Sequence, residues 1–249
     1  MKSARTTAAG VALAIAVVPV TLAGCGSQPA TPAAAPSSTP AATAPPSPAT
    51  TLAPAQTPGP GVTRQAPAIR VVSSRVAYPW HWPNDAAMPG LVTHSYPVPP
   101  MPELVQIRVG DHRAEHGQLP YNRMSFTFTT AFPGYQFSFA KALVADPSGN
   151  PVKLAGNGVL KITFRLAQAH TASGGSSVVT QPPAQLSLNR MASWAPAGDF
   201  EGVVTIGIGV TWPSSQSNPQ IPVRATEVEK VTAQGRHLYV VAIDIDATS

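Results

Sequence analysis

The segment 111–116 contains the one pattern with the spacing of a metal-dependent catalyst. His112 and His116, with Glu115 directly before the second histidine, follow the order H-x-x-E-H of inverted zinc peptidases. That chemistry requires both histidines on one face of a helix. Glycines bracket the segment and leave only about six residues, which is too few for such a helix. The pattern therefore predicts a polar loop between two strands, with no metal and no cofactor.

Two pairs of carboxylates are the other candidate catalytic groups: Asp199 with Glu201, and Asp244 with Asp246. Residues two apart in a strand share a face at about 6.5–7 Å, and paired carboxylates can hydrolyse glycosidic bonds. The alternative, which we favour, is that they are outward strand residues paired with Lys or Arg. No Ser-His-Asp or Cys-His arrangement is suggested, so an enzyme is the least favoured class and we predict no catalytic residues.

The N-terminus has the features of a secretory signal. Lys2 and Arg5 precede an apolar run over 8–22, which is too short to span a bilayer comfortably and is interrupted by a proline. The alternative is an N-terminal anchor that is never cleaved. Cleavage would leave 14 cationic side chains against 11 carboxylates, a net charge of +3. Because no basic stripe or aromatic array accompanies this charge, we expect no nucleic-acid partner.

Leu22, Ala23 and Gly24 directly precede Cys25, and together the four residues resemble a bacterial lipobox. In such sequences the cysteine carries lipid, the signal is cut before it, and the new N-terminus is acylated. One acyl chain alone gives only marginal membrane binding, but a lipobox cysteine carries more than one, palmitate among them. We therefore predict lipidation at Cys25 and location at the extracytoplasmic face of the cell membrane.

The composition excludes a single compact globule that uses all 249 residues. There are 29 prolines, and only 11% of residues are charged, against roughly 25% in an ordinary soluble domain. Ten prolines fall between Pro29 and Pro60, in a stretch of Pro, Ala, Thr and Ser, which predicts a disordered linker. The predicted organisation is a signal peptide at 1–24, lipidated Cys25 and the linker at 25–65, a Pro/Trp-containing transition segment at 66–102, and a domain at 103–249.

Within the transition segment, a short strand is predicted at 69–76, followed by Trp80-His81-Trp82. Exposed aromatic side chains can stack on sugar rings or anchor in a partner's pocket, which makes Trp80 and Trp82 candidate ligand-binding residues. The alternative is that both tryptophans pack back onto the domain as a lid.

The domain shows the period-two alternation of half-buried β-strands. Apolar residues alternate with polar ones, and turn signals separate the runs, at 105–109, 124–128, 135–139, 160–166, 186–191 (the weakest), 204–210, 223–231 and 238–245. The pattern predicts an all-β, antiparallel β-sandwich or barrel. Gly207 and Gly209 share one face of a strand, so another strand or a ligand is expected to approach that backbone closely.

The domain resembles the AMIN-like domain of actinobacterial lipoproteins. The resemblance rests on the segments 105–110, 121–128, 132–135, 146–149, 159–160, 199–209 and 241–245. It implies a β-sandwich related to the AMIN domains that hold envelope proteins to peptidoglycan. Asn122 replaces the family's usual aspartate and 212–222 resembles an insertion, so no binding residue is carried over.

These observations predict a non-enzymatic, lipid-anchored envelope lipoprotein whose domain binds cell-wall polymer (peptidoglycan) or a wall-associated partner. The alternative is a protein–protein interaction module that assembles an envelope complex without contacting glycan.

Overall fold

The structure, a computed structural model, describes residues 69–115, 117–213 and 220–248. No helix in these ranges is long and apolar enough to cross a membrane. The strands are β1 (Arg70–His81), β2 (Leu91–Val92), β3 (Leu104–His112), β4 (Tyr121–Phe128), β5 (Gly134–Ala140), β6 (Leu143–Val144), β7 (Pro151–Val152), β8 (Gly158–Arg165), β9 (Met191–Phe200), β10 (Val203–Val210), β11 (Val223–Val231) and β12 (His237–Asp246).

Ten of these strands form two five-stranded antiparallel sheets. The first sheet has the order β1-β11-β12-β4-β3 and the second has the order β2-β5-β8-β10-β9, while β6 and β7 pair separately. Side chains of both sheets fill one core, in which Phe164 of β8 meets Phe126 and Phe128 of β4 with ring centroids 5.0 and 4.9 Å apart. This arrangement confirms the predicted all-β antiparallel sandwich.

The alternation in the sequence locates the core strands correctly. In β12, Val241, Ile243 and Ile245 point inward and are fully buried, as an apolar period of two requires. The strands predicted around 105–109, 124–128, 135–139, 160–166, 204–210, 223–231 and 238–245 are observed as β3, β4, β5, β8, β10, β11 and β12.

A separate layer covers the outer face of β10, and it explains the two glycines of that strand. A β-carbon at Gly209 would lie 1.9 Å from the carbonyl oxygen of Ala155, and one at Gly207 would lie 2.2 Å from the side chain of Leu143. The group that approaches β10 is therefore the chain's own segment around β6 and β7.

The expected strand at 186–191 is wrong, because the strand of this region is β9, which begins at Met191. It contains no β-branched side chain and its apolar residues do not alternate with polar ones, so the sequence pattern does not indicate a strand there. Pro196 is tolerated in β9 because this is an edge strand, where a missing backbone donor can face away from the sheet.

The segment 66–102, predicted as a transition to the domain, contributes the strands β1 and β2 to the two sheets. The strand predicted at 69–76 continues to His81 and pairs with β11 as the edge of the first sheet. Register irregularities interrupt this pairing at three places, the last between Tyr78 and His81. Because each irregularity resets which face a residue occupies, the sequence alternation does not extend through Trp80.

Candidate functional site

Several residues singled out in the sequence lie outside the described part of the chain. These are Leu22, Ala23, Gly24 and Cys25, together with the rest of 1–68. Lipidation of the cysteine thus stays a prediction.

The H-x-x-E-H segment begins at the end of β3. His112 is the last residue of that strand, and its ring stacks on Tyr121 with centroids 4.4 Å apart and planes 10° apart. Burial lowers the pKa of His112, and the positive charge of Arg123 lowers it further, so the neutral form of the ring is favoured. Glu115 is exposed and His116 lies outside the described residues. Among the residues the structure describes, no group of three or more His, Cys, Asp or Glu could hold a metal.

The first carboxylate pair does not share a strand face. Asp199 Oδ2 accepts a hydrogen bond from His170 Nδ1 at 2.6 Å, whereas Glu201 is exposed in the turn after β9. Glu201 and Gly202 have φ of +48° and +75°, the left-handed conformation of a tight two-residue hairpin turn. The turn separates the two carboxylates, so they do not form a glycosidase pair.

In the second pair, Asp244 belongs to a buried ionic centre on the outer face of the first sheet. Arg224 of β11, Asp244 of β12 and Arg123 of β4 are cross-strand neighbours in register. Asp244 is fully buried and accepts hydrogen bonds from Arg123 Nε (2.6 Å) and Nη2 (2.9 Å) and from Arg224 Nε (2.9 Å) and Nη2 (2.7 Å). Its pairing with two arginines agrees with the preferred hypothesis, in which these carboxylates are outward strand residues paired with Lys or Arg. With four donors already bound, this carboxylate is poorly placed to act as a general base.

Aromatic rings surround the two guanidinium groups. The Arg224 guanidinium lies over the Trp80 ring at 4.6 Å and over the Tyr121 ring at 5.1 Å, and the Arg123 guanidinium lies 5.3 Å from the centroid of Tyr121. Trp80 and Tyr121 also meet edge-on at 5.9 Å. Cation–π contacts of this kind help to hold an arginine in place.

The structure separates the two candidate tryptophans. Trp82 follows β1 and packs against the hydrophobic core, as expected of a lid residue. Trp80 is 40% exposed and lies on the outer face beside Arg224. Trp80 is the more exposed of the two rings, whereas Trp82 is partly buried, and a ligand-binding role for either residue stays a prediction.

A cleft of about 420 Å³ opens beside this cluster. It is lined by Trp80, Gly117, Gln118, Leu119, Pro120, Tyr121, Pro222, Arg224 and Asp246. A second depression of about 410 Å³ shares Trp80 and Pro222 with it, so Trp80 stands between the two. We refer to the first depression as the Trp80 cleft.

The outer face around the cleft has an excess of positive charge. Strand alternation places Arg108 of β3 and Lys230 of β11 on the same face as Arg123 and Arg224. Burial, followed by the charges of Arg108 and Arg123, lowers the pKa of Lys230, which is consistent with their proximity. Asp244, which is buried, and Asp246, on the same face, offset part of this charge.

A buried carboxylate anchors the strand that carries Trp80. Glu227 of β11 accepts hydrogen bonds from Arg75 of β1 (2.8 Å to Nε) and from the Tyr135 hydroxyl of β5 (3.0 Å), and it is fully buried. His94 Nε2 lies 2.8 Å from the same side chain. Burial and the charge of Glu227 raise the pKa of Tyr135, so its hydroxyl keeps the proton that it donates. These contacts join β1 to both sheets.

Sequence reasoning did not single out Arg123 and Arg224 as site residues. Their positions in alternating strands indicate only that they face outward. Their convergence on Asp244 depends on the register between β4, β12 and β11, which no local pattern encodes.

Comparison with known proteins gives one match. The family model of the AMIN-like domain matches residues 102–237, more than half of the chain. No curated protein and no solved structure matches the chain. The matched range includes Tyr121, Arg123 and Arg224, whereas Trp80, Asp244 and Asp246 lie outside it.

Proposed function

The chain belongs to the AMIN-like domain family, whose members are generally binding modules of the extracytoplasmic cell envelope, and from that premise we propose its specific role. It is a non-enzymatic lipoprotein, held at the extracytoplasmic face of the cell membrane by lipid on Cys25. Its AMIN-like domain binds cell-wall polymer, namely peptidoglycan, through the Trp80 cleft.

The observation that carries this proposal is the exposed aromatic and cationic surface of the cleft. Trp80 keeps 40% of its surface accessible although Arg224 lies over its ring, and the cluster occupies a concave region of the outer face. A cleft with aromatic walls and a few fixed polar groups is the usual form of a binding site. The guanidiniums are fixed in advance by Asp244, so little order has to be gained on binding.

Membrane anchoring fits a weak individual contact. Lipid on Cys25 would keep every domain close to the wall, so that many cleft contacts act together. Linked binding events raise the overall avidity well above the affinity of a single site, by a factor of about 10²–10⁴. We therefore expect strong retention on intact wall and weak binding to short soluble fragments.

Co-sedimentation of the full chain, in detergent, with purified sacculi tests the proposal. We expect the protein to pellet with the sacculi. Trp80→Ala should lower the apparent affinity about tenfold, since a tryptophan that becomes buried on binding contributes about 1.4 kcal/mol or more. Trp82→Ala is the matched control: it should lower the melting temperature, because Trp82 packs on the core, but leave binding by the folded protein intact. Equal effects of both variants on binding would contradict the role of the cleft, and turnover of labelled wall fragments would contradict a non-enzymatic role.

The second candidate, a module that assembles an envelope complex, has one observation in its favour. β1 is an edge strand, and edge strands can pair with a strand of another protein. Besides Trp80, its exposed large apolar side chains are Val71, Val72 and Val76, with Ile69 directly before the strand. Failure of the folded full chain to pellet with sacculi at any protein concentration would favour this second function over the first.

A further inference from the structure

Arg224, which lines the Trp80 cleft, has one guanidinium nitrogen without an acceptor among the residues that the structure describes. Arg224 directs Nε and Nη2 to the same oxygen of Asp244, at 2.9 and 2.7 Å. Within the ranges that the structure describes, Nη1 of Arg224 has no acceptor, although the residue lines the cleft. A guanidinium with a remaining N–H is a good partner for a carboxylate.

Asp246, which lines the same cleft, has one carboxylate oxygen that accepts no hydrogen bond from the described residues. Asp246 Oδ1 accepts hydrogen bonds from the backbone N–H (2.8 Å) and the hydroxyl (2.7 Å) of Thr248. Oδ2 receives no hydrogen bond from any residue in the described part of the chain. Because Asp244 is opposite Arg224 in the ladder, Asp246 is the diagonal neighbour of Arg224, and such neighbours lie about 7–8 Å apart.

The aromatic surface of the cleft is partly occupied by the protein itself. The ring of Tyr121 stacks against His112 and lies near both guanidiniums, so it offers little free face to a sugar. The other walls are largely apolar and are formed by Trp80, Leu119, Pro120 and Pro222. The cleft thus combines one cation, one anion and an apolar wall.

We infer that the Trp80 cleft binds the zwitterionic end of a peptide, and this inference rests on the proposed function. The peptide carboxylate accepts from Arg224 Nη1, its ammonium group donates to Asp246 Oδ2, and its aliphatic part packs on Trp80. N-acetylated glycan strands carry no ammonium group, whereas an uncrosslinked stem peptide carries both charges. The ligand within peptidoglycan is therefore the stem peptide rather than the sugar chain.

Calorimetric titration of the full chain in detergent tests this inference. The probe is a soluble stem peptide with a free side-chain ammonium and a free terminal carboxylate. The comparison ligands are the same peptide with its amine acetylated and a peptide-free N-acetylated glycan oligomer. We expect acetylation to weaken binding about tenfold, the loss of one charge-assisted hydrogen bond, and the glycan oligomer to bind no better than the acetylated peptide.

The variant Asp246→Asn gives a test of opposite signs. It should weaken binding of the free peptide about tenfold while strengthening binding of a purely anionic polymer such as polyglycerol phosphate, because a repelling carboxylate is removed. Thermal unfolding shows whether the variant remains folded. Should it fail to fold, the acetylated peptide still tests the same contact in the unaltered protein.

The outcomes separate this inference from the function on which it rests. If sacculi pellet the protein but the free and acetylated peptides bind equally, or the glycan oligomer binds best, the zwitterion assignment is overturned and wall binding stands. If the protein binds polyglycerol phosphate and not the peptide, the assignment is likewise overturned. If folded protein does not pellet with sacculi, the proposed function itself is wrong.

Discussion

Replacement of Asp244 by asparagine removes the carboxylate that Arg123 and Arg224 share, with little change of shape. The aspartate is fully buried, while the side chains of the two arginines are 29% and 17% exposed. Loss of one partner from a buried ion pair costs about 3–5 kcal/mol. Because both guanidiniums can turn partly toward water, we expect the lower end of this range, a loss of about 3 kcal/mol in the free energy of unfolding. In a domain of this size that loss lowers the melting temperature by roughly 6–12 °C.

Thermal unfolding monitored by tryptophan fluorescence measures this effect. The Arg224 guanidinium lies 4.6 Å from the centre of the Trp80 ring, so the emission of the folded variant should change as well. Glu201→Gln is the matched control, because it removes one negative charge from an exposed turn. It should alter stability by no more than about 0.5 kcal/mol. A loss below about 1 kcal/mol for the Asp244 variant, or one no larger than that of the control, would refute the view that this ionic centre holds the outer face together.

Three other expectations concern the core, a titrating group and the anchor. Gly209→Ala should destabilise the domain by about 1–3 kcal/mol more than Gly207→Ala. The methyl group added at 209 meets the Ala155 backbone, whereas the one added at 207 meets the end of a leucine side chain, which can move; equal melting temperatures would contradict this. The pKa of His112 is lowered in the folded state, so the unfolded chain binds more protons and stability falls as the pH drops below about 6.5. In urea titrations at several pH values, the free energy of unfolding of His112→Gln should depend less on pH in this range. Cys25→Ser should move the protein from the membrane fraction to the soluble fraction, and unchanged membrane retention would argue against lipidation at this residue.

The predicted strands agree with the structure where the alternation of apolar and polar residues is local and regular, and they differ from it where pairing between strands decides the conformation. In β4 and β12 the alternation of apolar and polar residues is local and regular, and these strands appear where expected. β9 is an edge strand without that alternation, and the register irregularities in β1 break the pattern before Trp80. In β9, and in β1 after Val76, pairing with a neighbouring strand, rather than local preference, makes the segment extended.

The candidate site was only partly predictable for the same reason. The sequence identified Trp80 and Trp82 as candidates but did not distinguish the exposed ring from the packed one. That difference depends on where β1 ends relative to β11 and on what lies beneath the chain after it. The glycines around the H-x-x-E-H segment, by contrast, predict a loop rather than a helix, and His112 is the last residue of a strand.

The sequence by itself determined the strand-rich class and the two-faced character of the core strands, because a side-chain period of two is a property of each strand alone. Tertiary structure alone decided which outward side chains meet. Arg224 is 20 residues and Arg123 is 121 residues from Asp244 along the chain, yet all three are adjacent across the first sheet. Strand order and register arise from packing of the whole sandwich, since a shift of one residue would turn each of these side chains to the opposite face.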